Sequence, residues 1–238
     1  LDRFNTLTSM IRKSLKEMKL AIKGVVLMSA ALEAAVNSLK VGRVPELWLG
    51  KSYPSLKSLG SYMTDLYVRV GWFAEWASAT IPEIMWIDRF YFTQGFLTGA
   101  KQNYARKYGI AIDLLDYDFL VVKDEEEFYD KPPEDGVHVR GMYFEGARWN
   151  AQTMALDESE ARVLYTKVPM IWFKPCKEED FIKIPQYLCP IYKTSLRFGT
   201  LATTGHSTNH VLNVRIPSNQ PEELWTLRGV AILLYLDD

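Results

Sequence analysis

The hydrophobic period of this sequence shifts once, near residue 115, and that shift bounds what the polypeptide can fold into. Before it, apolar residues recur at steps of three and four, the spacing of one helix face. After it they alternate, or gather in short runs of strand length. The order predicts an α+β fold: an N-terminal helical bundle over residues 1–115, then a small antiparallel β-barrel over 116–238.

In the first half, Phe4, Leu7, Ile11, Leu15, Met18, Ile22 and Val25 form one apolar stripe on a long helix, with Arg12, Lys13, Lys16, Lys19 and Lys23 on other faces. Spacing alone leaves two partners for this stripe, the domain's own core or a neighbour. Ser29 suits the cap of a second helix, unless the first runs on to Lys40. Gly42 followed by Pro45 marks a stop. Pro54 fits a first helical turn. It precedes a heptad of Leu56, Leu59, Met63, Leu66, Val70, Phe73 and Ala77, which predicts a core-facing helix ending before Ile81 and Pro82. A further helix is expected over Thr93–Tyr108, with Phe96, Leu97, Ala100 and Tyr104 inward and Gly109 as its end.

In the second half, strands are expected at Tyr117–Val121, Val137–Phe144, Arg148–Trp149, Val163–Tyr165, Met170–Phe173, Tyr187–Tyr192, Val211–Ile216 and Val230–Leu236. Pro190 favours an edge strand or a strand start. The segment 123–135 is acidic and holds two consecutive prolines, so it is a solvated loop, and Lys174–Ile184 is a charged connection. The last run, VAILLYL, barely alternates and should be covered on both faces. A closed barrel would also remove exposed sheet edges.

Lys and Arg number 28 against 29 Asp and Glu. That balance excludes a general nucleic-acid binder, which needs a clustered basic excess. The longest apolar runs fall well short of the roughly 20 residues of a membrane span. Two cysteines, Cys176 and Cys189, suit a reducing compartment with free thiols. The sequence begins inside a helical pattern and is expected to be a piece of something larger.

Four constellations resemble chemistry. Gly50-Lys51-Ser52 ends like a phosphate loop, but the glycine required five positions earlier is Pro45. His206 and His210 with Cys189 lack the paired-ligand spacing of structural zinc. Cys189, His206 and Ser207 could be drawn as a hydrolase, yet Cys189 sits among apolar residues with nothing to lower its pKa. Asp124 and Glu125-Glu126-Glu127 form a charge run, not a spaced cation loop. No catalytic, cofactor or metal residue is assigned. Besides the hydrolase, a free-standing ligand-binding β-barrel with a helical extension remains as an alternative.

The wording of several blocks is distinctive: SYPSLK at 52–57, FTQGFLTG at 92–99, DGVHVRGMYFEGARWN at 135–150, CPIYKTSLRFGTLATTGHSTN at 189–209 and RGVAILL at 228–234. Together, in this order, they resemble the C-terminal domain of axonemal-type dynein heavy chains. The resemblance implies a helical bundle with a small β-barrel that packs on the AAA+ motor ring of the same heavy chain. ATP, Mg and the microtubule-binding stalk then belong to other parts of that polypeptide. It implies a non-catalytic role in motility and a place in the cytoplasm and cytoskeleton, in the axoneme of a cilium or flagellum. The candidate ring-docking stripe is Phe4, Leu7, Ile11, Leu15, Met18 and Ile22. No nucleic acid or membrane is expected as a partner.

Overall fold

A computed structural model of the protein describes residues 1–79, 81–122, 132–181, 184–197 and 209–237. The fold divides into two units, Leu1–Ala79 with Leu236–Asp238, and Thr80–Tyr235. The expected border at 115 does not coincide with this division.

In the first unit the periodic stretch becomes α1 (Asp2–Ile22), α2 (Ala30–Lys40), the single turn α3 (Glu46–Leu49) and α4 (Leu59–Ser78). The break after α1 falls at Gly24, which takes a left-handed φ of 72°. Helix restarts after Ser29, whose hydroxyl accepts a hydrogen bond from the Leu32 amide at 3.3 Å. The first helix therefore does not run on to Lys40. α4 begins after Ser58, not at Pro54, which lies outside the helix.

The buried face of α4 is Tyr62, Leu66, Arg69 and Trp72. Of the predicted heptad only Leu66 belongs to it, and Val70 and Leu56 are exposed. The cause is polar pairing that a hydrophobic pattern does not register. The Arg69 guanidinium lies 3.9 Å from the Tyr53 ring centre and 2.6 Å from Asp65, one turn away. Tyr53 stacks on Tyr62, and Phe4 meets Tyr53 and Phe73. An Arg whose charge is paired and whose plane is stacked can be buried with its aromatic neighbours.

The second unit begins with β1 (Ile84–Trp86) and α5 (Thr93–Tyr108), the latter ended by Gly109 in the left-handed region as expected. Then follow β2 (Leu115–Val121), β3 (Val137–Arg140), β4 (Tyr143–Glu145), β5 (Ala147–Asn150), β6 (Ala155–Glu158), β7 (Tyr165–Lys167), β8 (Ile171–Lys177), β9 (Gln186–Tyr192), β10 (His210–Pro217), α6 (Glu222–Arg228) and β11 (Ala231–Leu233). The single strand expected over Val137–Phe144 is split at Gly141, where φ is 84° and any Cβ would strike the Asp88 carboxylate. β8 runs through Pro175 into the segment expected to be a connection.

The strands form a four-stranded sheet ordered β1-β3-β8-β2, a five-stranded sheet ordered β10-β9-β11-β4-β7, and the hairpin β5-β6. Two pairs, β1 with β3 and β11 with β9, are parallel, so the sheets are mixed and not purely antiparallel. Among the described residues the ladders do not close into the expected barrel; each larger sheet has two end strands. Pro190 does not mark an edge: it lies inside β9, opposite Asn213 and between β10 and β11. Tolerance there has a local cause, because the ladder with β11 covers only Ile191 and Tyr192.

One apolar cluster joins both larger sheets to α5 and α6, with Leu97, Phe119, Phe173, Ile191, Trp225 and Ile232 among its members. Val230 to Leu234 are all buried, as the non-alternating run requires. α6 lies outside the periodic reading. It is held by buried Trp225, whose indole N–H donates to the Ser218 hydroxyl at 2.8 Å.

Candidate docking surface

The predicted stripe on α1 is divided by the fold. Phe4, Leu7, Ile11 and Met18 are buried, whereas Leu15 is 44% and Ile22 72% exposed. The inward row of α1 runs Phe4, Leu7, Ile11, Ser14, Met18. Ser14 occupies the inward position that the hydrophobic count gives to Leu15, because its hydroxyl accepts from the Trp48 indole N–H at 2.9 Å. A buried hydroxyl satisfied in this way carries no penalty. Leu15 is turned to the flank of the row, and Ile22 lies a turn beyond Met18.

Met18 packs with Leu32 and Ala35 of α2 in a small cluster of its own. Above that cluster lies a groove of about 600 Å³ between α1 and α2. Leu15, Met18, Ile22, Val36 and Leu39 form its apolar lining, and Lys19, Lys23 and Lys40 complete it. Among the described residues no acidic side chain lines the groove. Among those same residues, none of these three lysines lies within ion-pairing distance of a carboxylate. The connection from α1 to α2 is apolar as well, with Val25, Val26 and Met28 exposed and Leu27 97% exposed. Single exposed apolar residues are ordinary, but a contiguous set marks an interaction surface.

A second cleft, of about 440 Å³, lies beside α5. Its charges answer one another: Lys107 meets Glu134 at 3.0 Å and Asp135 at 2.9 Å, and the Tyr108 hydroxyl donates to Asp135. Burial alone would raise the Asp135 pKa, but the bonds from Lys107 and Tyr108 outweigh it and hold the carboxyl below its usual range.

Several of the described residues that resembled chemistry have other contacts. Gly50 closes α3, Ser52 shares a hydrogen bond of 2.8 Å with the Tyr62 hydroxyl, and Tyr53 is buried. Cys189 is fully buried in β9, and desolvation pushes its thiol far above the ordinary range. Cys176 is pushed up to about 11, first by burial and then by Asp118. Neither environment favours a thiolate. His210 is bonded to Asn213 at 2.9 Å. His206, Ser207 and the run 124–127 lie outside the described residues. Among the described residues no three His, Cys, Asp or Glu side chains group as metal ligands.

These features define an apolar groove with basic walls on an α+β domain. A family model for the C-terminal domain of the dynein heavy chain matches residues 1–234, and the protein belongs to that family. It is 50% identical over its whole length to dynein axonemal heavy chain 12 of Mus musculus, and likewise 50% identical to dynein axonemal heavy chain 3 of Homo sapiens. Dynein axonemal heavy chain 1 of Mus musculus is 46% identical over 99% of the sequence. The sequence spans only 6–8% of the length of these three relatives.

Proposed function

We propose that this domain packs on the AAA+ ring of an axonemal dynein heavy chain and modulates its microtubule-based motility without performing chemistry itself. ATP and Mg then bind in ring modules elsewhere in the heavy chain, the microtubule is reached through the rest of the motor, and the setting is the axoneme of a cilium or flagellum. Family membership supports the parent protein. The observation that carries the docking role is the outward turn of Leu15 and Ile22 on a helix whose other stripe residues, Phe4, Leu7, Ile11 and Met18, are buried.

The mechanism is conformational bracing. A domain laid across several ring modules shifts their equilibrium only if its contacts differ between the open and closed ring. A coupling of about 1–3 kcal/mol changes the populations roughly 5–150-fold. The test is Leu15→Asp with Ile22→Asp in the intact heavy chain, read as microtubule gliding velocity and ATPase rate. Both substitutions place a charge on the proposed interface and leave the buried row untouched. A change in velocity or ATPase, with the domain still folded, is the expected outcome. A motor indistinguishable from wild type in both assays would end the proposal.

A further inference from the structure

We infer that the groove between α1 and α2 receives an acidic amphipathic helix from elsewhere in the same heavy chain. The inference rests on the docking role above and gives the partner its chemistry.

Three observations lead to that occupant. The apolar lining comes from two helices, Leu15, Met18 and Ile22 on one side and Val36 and Leu39 on the other. Such a trough between packed helices fits the ridge of a third helix, which would complete the small Met18, Leu32 and Ala35 cluster from outside. The lining from Leu15 to Lys23 spans roughly 12 Å of helix axis, so two to three turns of an incoming helix cover it. Both walls of the groove are basic. Lys19 and Lys23 stand one turn apart along the sequence that closes α1, and Lys40 stands on α2, with no acidic side chain among the described residues that line the groove. By contrast Lys13, Lys101, Lys107 and Lys177 each lie near a carboxylate of this domain. A helix with carboxylates flanking an apolar stripe matches both walls, and a neutral or basic one leaves three cations beside a desolvating surface. The source is assigned to the same heavy chain because 92–94% of each of three relatives' length lies outside the region this sequence matches.

Carbodiimide coupling, which joins a lysine amine to a carboxylate in direct contact, tests this on intact heavy chain. A mixture of isotopically heavy and light copies separates links within one copy from links between copies. The expected products join Lys19, Lys23 or Lys40 to Asp or Glu residues spaced three or four apart in one segment of the same copy. In Lys19→Glu/Lys40→Glu, the yield at Lys23 should fall by about fivefold or more, since each exposed pair contributes modestly. Links no more frequent than those of Lys16, which does not line the groove, overturn the inference. So do links between copies, links to a separate polypeptide, an unchanged yield in the double variant, or sedimentation with phosphatidylserine vesicles in place of any link. The two claims separate cleanly. Normal gliding in the Leu15 and Ile22 variant beside positive coupling refutes the motility role alone. Altered gliding beside negative coupling refutes the acidic helix alone.

Discussion

Ile11→Asp and Leu15→Asp place the same side chain one turn apart on α1, yet their costs should differ widely. Ile11 is 7% exposed and lies in the inward row. Its replacement forfeits about 2 kcal/mol of apolar burial. It also brings a carboxylate into the core at a cost of several kcal/mol, so about 4 kcal/mol or more in total. Leu15 is already 44% exposed. Replacing it loses about 1 kcal/mol of burial and about 0.5 kcal/mol of helix propensity. Lys19, four residues on, offsets about 0.3 kcal/mol of that. The difference is at least about 2.5 kcal/mol, or roughly seventyfold in an equilibrium constant. Amide hydrogen exchange across α1 in the isolated 238-residue domain, where no ring module covers Leu15, measures the opening constant directly. Ile11→Asp should speed exchange through the whole helix, whereas Leu15→Asp should change it by about tenfold or less, the equivalent of about 1.4 kcal/mol. Equal acceleration by the two variants would refute the division of the stripe and remove the basis for a docking end.

Arg69→Met should destabilise α4 by about 2–3 kcal/mol, because it strands the Asp65 carboxylate and strips the cation from the Tyr53 ring. Adding Asp65→Asn should recover part of that loss in a protease-protection assay, and strict additivity of the two changes would count against a coupled pair. At pH 8 the native protein should leave Cys176 and Cys189 unmodified by a maleimide over minutes, since burial pushes both thiols upward, Cys176 to about 11. Guanidinium should expose both, and rapid labelling of native Cys189 would reopen the hydrolase reading.

Patterns that repeat along the sequence were legible in it. The 3–4 spacing located α1, α5 and much of α4, and the unbroken run at the end announced β11 with both faces covered. The cap at Ser29 and the end at Gly109 followed from side-chain chemistry that acts over a few residues. Errors arose where a distant partner altered what a residue could do. Pro54 starts no helix, and Pro190 sits inside a central strand whose β11 ladder is short. Arg69 counts as polar in any pattern, yet Tyr53 and Asp65 make it a core residue. The candidate surface was half legible: its six stripe residues were recognised, but not which of them face outward. The signal that could have corrected this was Ser14 in an apolar row with Trp48 available as a donor.

By itself the sequence determined the α+β class, the family and the amphipathic nature of α1, because period and local capping depend on near neighbours alone. Only the tertiary structure decided that Ser14 turns inward and Leu15 outward, and that α1 and α2 leave a basic-walled groove between them. Exposure is a property of what packs against a residue, and those partners, Trp48 on α3 and the α2 residues behind Met18, are set by the fold and not by spacing along the backbone.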